Sequence, residues 1–218
     1  MADFVFSDKD LEVILKLESS KSKDEGWSLC SQSEFCEVWK KRCEHESTHL
    51  VKGYLHLPGI TPDDTYKLVH DLSLRKRWEK HFPEINILEE HPTYRLVYWL
   101  VHMPPGIQNR DLVQYVAEKR DESTNTTYIV YHNAPGKVEP KHGVVRASTI
   151  LSSTIIRPDP QDPKSTRVTI LLQNDFGGWI PHDVVNYFAA KAPGEWRDNL
   201  YHFYVDVYSK EMASGMNA

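Results

Sequence analysis

The chain has 218 residues, of which 40% are hydrophobic and 26% are charged, and its formal net charge is -5. This composition is typical of a folded globular protein and excludes a chain that is disordered throughout. The net negative charge disfavours a broad phosphate-binding surface, so nucleic acid is not an expected partner. The length suits a single domain, and we expect one domain over residues 1–218 that acts as a monomer.

The sequence also indicates a cellular compartment. Its N-terminus lacks the basic start and apolar core of a signal peptide, and no apolar run approaches the ~20 residues of a membrane-spanning helix. The three cysteines, Cys30, Cys36 and Cys43, are odd in number and lack CxxC spacing, which favours free thiols. We therefore expect a cytoplasmic protein, with residues 1–7 as a flexible tail.

Three helices and a series of strands are predicted along the chain. Apolar residues at helical spacing predict a helix over residues 8–18, and a capped, proline-started helix over 61–72. A long amphipathic helix is predicted over 181–208, with a break or kink at 192–194. Alternating patterns predict strands at residues 27–30, 35–41, 50–57, 86–90, 94–102, 111–120, 126–131, 144–156 and 167–174.

Many sequential strands with short connections, followed by a long helix, predict an α+β fold built on an antiparallel sheet. A curved sheet that wraps around such a helix can leave a cavity inside. A filled core is the alternative, and this pattern alone is compatible with both.

Five short motifs follow one another in a fixed order. They are Leu-Arg-Lys-Arg-Trp-Glu at 74–79, Val-Tyr-Trp at 97–99, Asn-Arg-Asp at 109–111, Gly-Val-Val-Arg at 143–146 and Asn-Asp-Phe-Gly-Gly-Trp-Ile-Pro at 174–181. Through them the chain resembles the START (steroidogenic-acute-regulatory-related lipid transfer) domain over nearly its whole length. It looks most similar to the phosphatidylcholine-transfer-protein branch. The resemblance implies a helix-grip fold, in which a curved antiparallel sheet wraps a C-terminal helix over a lipid tunnel, and it implies one bound lipid.

The resemblance also implies roles for individual residues. The phosphate-binding arginine of the family corresponds to Arg75, and a tryptophan of its choline cage corresponds to Trp99. The two tyrosine positions of that cage fall on Leu112 and Ile150. Because a quaternary ammonium is recognised by several aromatic faces, this departure argues against strict selection of choline.

Arg75 has two possible anionic partners. A buried guanidinium needs an anion, and a lipid phosphate suits its forked donors. An internal acid such as Glu79 or Asp111 is the alternative. The neighbouring Lys76 and Arg77 are expected at the surface.

Other residues near these motifs have open assignments. Tyr98 and Tyr115, with Trp99, either line the cavity or belong to an ordinary core, because aromatic residues at strand spacing fit both. Arg110 stands beside Asp111 and is predicted to have a structural role at a strand start.

The C-terminal helix is predicted to act as a lid. Gly177 and Gly178 could form its hinge, and Trp179 with Ile180 a membrane-touching tip, since tryptophan favours the membrane interface. An ordinary helix entry is the alternative. The helix residues predicted to cover the lipid include Val184, Phe188 and Trp196.

No catalytic, cofactor or metal site is predicted. Residues 45–49 match the HExxH zinc pattern, but they lie in a charged turn between predicted strands, whereas that chemistry needs a helix. Nucleophile-elbow, P-loop and dinucleotide motifs are absent from the sequence.

We therefore expect a non-enzymatic, peripherally membrane-associated protein that binds a glycerophospholipid and transfers it between membranes. Alternatives are a carrier of sterol or another apolar ligand, an enzyme on the same fold, and a lipid-sensing regulatory module.

Overall fold

A computed structural model describes residues 4–20, 23–43 and 48–215, except for the side chains of residues 182, 183, 186, 188 and 189. The helices are α1 (Asp8–Ser19), α2 (Pro62–His70), α3 (Leu72–Trp78), α4 (His182–Phe203) and α5 (Ser209–Ala213), with a π-helical turn at Tyr204–Tyr208. The strands are β1 (Trp27–Gln32), β2 (Cys36–Arg42), β3 (His49–Leu57), β4 (Glu84–Glu90), β5 (Arg95–Val101), β6 (Arg110–Asp121), β7 (Thr126–Asn133), β8 (Val145–Arg146), β9 (Ser148–Pro158) and β10 (Thr166–Asp175).

All ten strands belong to one sheet, in the order β1-β2-β3-β10-β9-β7-β6-β5-β4. Neighbours along this path are antiparallel, and the short β8 pairs with β6 in parallel. The predicted strand over 144–156 is therefore two strands. The large core lies between one face of the sheet, here called the inner face, and helices α2, α3 and α4.

The predicted helix over 61–72 is two helices that meet at Asp71. The Asp71 carboxylate accepts the backbone N–H groups of Ser73 at 2.8 Å and Leu74 at 3.3 Å, so it caps the start of α3. Arg75 consequently belongs to a separate short helix, in whose last turn it lies. The role of Asp71 as a cap was not predicted from the sequence.

Helix α1 packs on the opposite, outer face of the sheet. Its Ile14 is buried in a cluster with Tyr94, Ala117, Val130 and Leu171. The ammonium of the fully buried Lys52 donates to the Leu17 carbonyl at 2.7 Å, near the C-terminal end of α1, and stands 4.0 Å from the Trp27 ring centroid. Both faces of the sheet are therefore covered.

Residues ahead of α1 are packed against the outer face. The Phe4 ring stacks on Tyr115 with 5.3 Å between centroids, and Phe6 packs against the same cluster as Ile14. Ser7 and Asp10 form a reciprocal capping box. Residues 4–7 are therefore in contact with the sheet and with α1, residues 1–3 lie outside the described part of the chain, and the flexibility of residues 1–7 stays a prediction.

Helix α4 continues through Pro193, so of the break or kink predicted there the break does not occur. Pro193 is buried against β3, at the position of Gly53. The missing side chain of Gly53 lets helix and strand approach closely, and this packing supports the helix where proline removes a backbone hydrogen bond. Among the described residues, no helix is both long and apolar enough to cross a bilayer.

Candidate functional site

A cavity of about 160 Å³ lies between the inner face of the sheet and helices α3 and α4. A single water needs only about 10–15 Å³ of such space, so the cavity is large enough for several solvent-sized groups. Its wall is mainly apolar and includes Val51, Phe82, Val101, Ile170, Leu172, Phe176, Val185 and Trp196. The polar lining residues include Arg75, Glu79, His81, Gln114, Tyr131, Ser152, Thr154 and Asn174.

Arg75 lies in the cavity wall, and only 7% of it is exposed. Its guanidinium carbon stands 4.8 Å from the Trp99 ring centroid, and Nη1 is 3.5 Å from the Tyr131 hydroxyl. Nη2 is 3.7 Å from Oε2 of Glu79, one helical turn further on. Within the described residues, Nε has no hydrogen-bond partner. The predicted inward position of Arg75 thus agrees with the structure, and Glu79 is the internal acid beside it.

Glu79 is buried in the same wall. Burial raises the pKa of its carboxyl, while Arg75 and His81 act in the opposite direction. Its Oε1 accepts the backbone N–H of His81 at 3.4 Å, and the His81 ring in turn lies 3.2 Å from Glu195 on α4. From the sequence, Glu79 was expected only as an alternative partner of Arg75. The four-residue spacing between them was the available signal for a shared helix face.

Trp99 and Leu112 face each other across β5 and β6, and both line the cavity as predicted. The Trp99 ring makes edge contacts with Phe82 at 5.3 Å and Tyr131 at 6.3 Å between centroids. The face of the Trp99 ring is covered by the Arg75 guanidinium. At the neighbouring cage position, Leu112 offers an aliphatic side chain instead of a second aromatic ring.

Tyr98, Tyr115 and Ile150 are not among the residues that line the cavity, so the two tyrosines take the alternative core position and Ile150 does not take the inward position implied for it. Tyr98 lies on the outer face with Leu96 and Val113, because neighbours of Trp99 in a strand point the other way. Tyr115 packs on that face too.

Ile150 is 41% exposed because the pairing of β9 with β10 shifts register at this residue. Such a bulge adds one residue to a strand and redirects its side chains. Thr149 takes the inward position and accepts a hydrogen bond from Gln114 at 2.5 Å.

The residues predicted to form a lid lie partly in the loop at 177–180 and partly on α4. Gly177 and Gly178 have φ values of +60° and +62°, which favour glycine, and Trp179 is 81% exposed. Ile180 packs against the large core. On α4, Val184 packs against the same core, Trp196 lines the cavity, and the side chain of Phe188 lies outside the described residues.

Arg110 binds the loop that precedes α4. It is 2% exposed, and its Nε and Nη2 donate to the carbonyl oxygens of Phe176 at 3.0 Å and Gly177 at 3.1 Å. Burial lowers the pKa of its guanidinium. The adjacent Asp111 instead forms a bidentate pair with Arg146, at 2.7 and 3.1 Å. The interactions of Arg110 are structural, as expected, but they bind backbone carbonyl groups of the loop that precedes α4.

The zinc-like pattern is only partly visible. Residues 45–47 lie outside the described residues, and His49 begins β3 instead of continuing a helix. The described residues contain no cluster of three or more potential metal ligands. The expectation of no metal site stays a prediction.

Comparison with known proteins identifies the family. The START domain profile matches residues 9–196. Mouse StAR-related lipid transfer protein 5 is 26% identical over 185 residues, which cover 80% of this chain and 84% of that protein. The mitochondrial steroidogenic acute regulatory protein of Salvelinus fontinalis is 31% identical over 156 residues, covering 69% of this chain and 54% of the relative. Mouse START domain-containing protein 10 is 27% identical over 180 residues, covering 77% of this chain and 58% of the relative.

Solved structures show the same fold. Human StAR-related lipid transfer protein 5 superimposes with a TM-score of 0.81 at 20% identity, covering 92% of this chain and 95% of that one. Human STARD10 gives 0.79 at 22% identity, covering 97% and 86%. The predicted helix-grip fold is therefore confirmed. With its curved sheet, its C-terminal helix and a matching profile over most of its length, the chain belongs to the START-domain family.

Proposed function

We propose that this protein binds one glycerophospholipid in the cavity and transfers it between membranes without covalent chemistry. Arg75 carries the proposal, because a guanidinium buried beside an apolar cavity favours an anionic ligand. Its Nε lacks a hydrogen-bond partner among the described residues, and Nη2 is too far from Glu79 for a strong bond. The oxygen atoms of a phosphate would accept hydrogen bonds from both Nε and Nη2.

Acyl chains would supply most of the binding free energy, at ~0.8 kcal/mol for each buried methylene. Opening of α4 and the hinge loop at Gly177 and Gly178 would admit them, with the exposed Trp179 in contact with the bilayer. The names of the lipid transfer protein relatives support a carrier function. In this proposal the protein acts as a cytoplasmic monomer that touches membranes transiently and binds no nucleic acid.

Native mass spectrometry after incubation with phosphatidylcholine and phosphatidylethanolamine vesicles tests the role of Arg75. The Arg75→Ala variant is expected to lose most of its bound phospholipid. Lys76→Ala removes an exposed cation from the same helix and should load like wild type. Since Arg75→Ala leaves the Glu79 carboxylate buried beside a lost cation, the double variant Arg75→Met, Glu79→Met is measured too. Unchanged phospholipid occupancy in both Arg75 variants would refute the proposal.

A sterol or another uncharged ligand is a second candidate. The observation in its favour is the 3.7 Å approach of Glu79 to Arg75, which gives the guanidinium an internal counter-ion. Cholesterol vesicles in the same experiment separate the candidates, because sterol loading would persist after removal of both charges.

A further inference from the structure

One oxygen of the Glu79 carboxylate has unused hydrogen-bonding capacity inside the cavity. Glu79 is 3% exposed and belongs to the cavity wall. Its Oε2 has no hydrogen-bond partner among the described residues. The 3.7 Å separation from Nη2 of Arg75 exceeds the usual hydrogen-bond length of about 2.7–3.2 Å. A buried carboxylate oxygen in this condition favours a ligand that donates a hydrogen bond.

The charges of the cavity indicate what kind of donor this is. In the described part of the chain, Arg75 and Glu79 are the only arginine, lysine, aspartate or glutamate side chains that line it. Together they are neutral when both are ionised. A phosphate bound at Arg75 brings one negative charge into a buried, mainly apolar site, and a buried net charge is costly. A positive group on the same ligand, placed at Glu79, restores neutrality.

The aromatic residues indicate which cation fits. A quaternary ammonium has no N–H and depends on several exposed ring faces. Here the Trp99 ring face lies under the Arg75 guanidinium at 4.8 Å, its cross-strand neighbour is Leu112, and Ile150 is on the outer side. A carboxylate beside these residues suits an ammonium that carries N–H, because it can accept a charge-assisted hydrogen bond.

We propose that Glu79 selects phospholipids with an N–H-bearing ammonium head group of the ethanolamine type, with the phosphate on Arg75 and the ammonium on Glu79. This inference rests on the proposed function and adds a specificity-determining residue to its site. The groups facing Glu79 are Arg75 on α3 and His81 in the next loop, whose ring pairs with Glu195 on α4. Burial raises the pKa of Glu79, and a bound ammonium would lower it again by favouring the carboxylate.

A methylation series of head groups tests the proposal. Vesicles contain equal amounts of phosphatidylethanolamine, its N-methyl and N,N-dimethyl derivatives, and phosphatidylcholine, all with the same acyl chains. Native mass spectrometry then measures the lipids loaded by wild type, Glu79→Gln and the control Glu90→Gln, which changes an exposed glutamate on β4.

Wild type and Glu90→Gln are expected to load the first three lipids similarly and phosphatidylcholine about tenfold less, because only the last has no N–H. Glu79→Gln should lose the drop in loading between the N,N-dimethyl lipid and phosphatidylcholine, while its total phospholipid occupancy is kept. A preference that declines evenly with each methyl group would indicate steric exclusion and overturn the proposal. Equal loading of phosphatidylcholine by wild type, or an intact step in Glu79→Gln, would also overturn it.

The wild-type series needs no variant, so the proposal stays testable if Glu79→Gln fails to fold. Lowering the pH supplies a second readout, because protonated Glu79 lacks the charge that attracts ammonium. The preference over phosphatidylcholine should therefore shrink on acidification, and a constant preference would count against Glu79. Failure of the proposed function is recognised separately, because it would leave phospholipid occupancy unchanged in the Arg75 variants.

Discussion

Replacing Gly53 by alanine tests how closely the C-terminal helix packs on the sheet. Gly53 is a buried residue of β3, directly under Pro193 of α4. A Cβ atom added at Gly53 would lie 2.8 Å from Cβ of Pro193, well inside ordinary van der Waals contact. The proline ring is rigid and buried, so strand and helix must move apart.

The expected cost follows from two opposing effects. Overpacking of a filled core typically costs about 1–3 kcal/mol. Alanine also reduces the conformational entropy of the unfolded chain relative to glycine, which offsets about 0.4–1 kcal/mol. We therefore expect Gly53→Ala to lower the free energy of unfolding by about 1–2 kcal/mol.

Urea unfolding followed by circular dichroism measures this change. Gly194→Ala is the matched control, because its added Cβ would meet only Sγ of Cys36 at an ordinary 3.6 Å. Gly194 lies inside α4, where alanine is favoured over glycine, so this variant should gain about 0.5–1 kcal/mol. Opposite signs of the change in unfolding free energy for Gly53→Ala, which faces Pro193, and Gly194→Ala, next to Pro193 in α4, would identify close packing as the cause.

A Gly53→Ala protein as stable as wild type would refute this reasoning. A double-mutant cycle adds a second criterion. In a Pro193→Gly background the Cβ atom that meets the added Cβ at residue 53 is absent, so Gly53→Ala should cost less there, and an equal cost in both backgrounds would exclude a contact between the two residues.

Three further changes have defined outcomes. Arg110→Met should lower the free energy of unfolding by roughly 2–4 kcal/mol, because buried carbonyl groups lose their donor. The control Arg120→Met, at a surface ion pair, should cost at most about 1 kcal/mol, and similar urea curves for both variants would contradict the role of Arg110. Burial raises the pKa of Tyr54 from 10.0 to about 12, so its stabilising contribution is complete below pH 10 and is lost as the pH rises towards 12. In unfolding curves measured over a pH series, Tyr54→Phe should lack this part of the loss of stability at alkaline pH, and a profile like that of wild type would argue against it. Trp179→Ala should reduce co-sedimentation with phospholipid vesicles several-fold, while Leu29→Ala, at an exposed residue of β1, should not. Vesicle binding by Trp179→Ala equal to that of wild type would exclude Trp179 as the membrane tip.

Local patterns in the sequence were sufficient for most elements of the fold. Alternation located the strands, apart from the short β8, and the helical stripe located α4, because both depend on residues close together in the chain. Element boundaries were weaker. Asp71 ends α2 and starts α3, and such a double cap requires the side chain to turn towards a particular pair of backbone N–H groups.

Alternation did not identify which strand face lines the cavity. In β5, Leu96 and Tyr98 are as apolar as Val97 and Trp99, and all four are buried. Apolar clusters also cover the outer face, so both faces of the strand are apolar. The single-residue bulge at Ile150 arises from pairing between β9 and β10, and it reverses the expected side.

The sequence by itself determined the fold family and the inward position of Arg75, because the motifs and spacings that carry them are local. Only the tertiary structure decided which groups surround that guanidinium and how the loop before α4 is held by Arg110. Trp99 and Tyr131 lie on strands far from α3 in sequence, and the carbonyl groups bound by Arg110 lie more than 60 residues away. Such contacts depend on how the sheet curves and on strand register, which the spacing of residues along the chain does not encode.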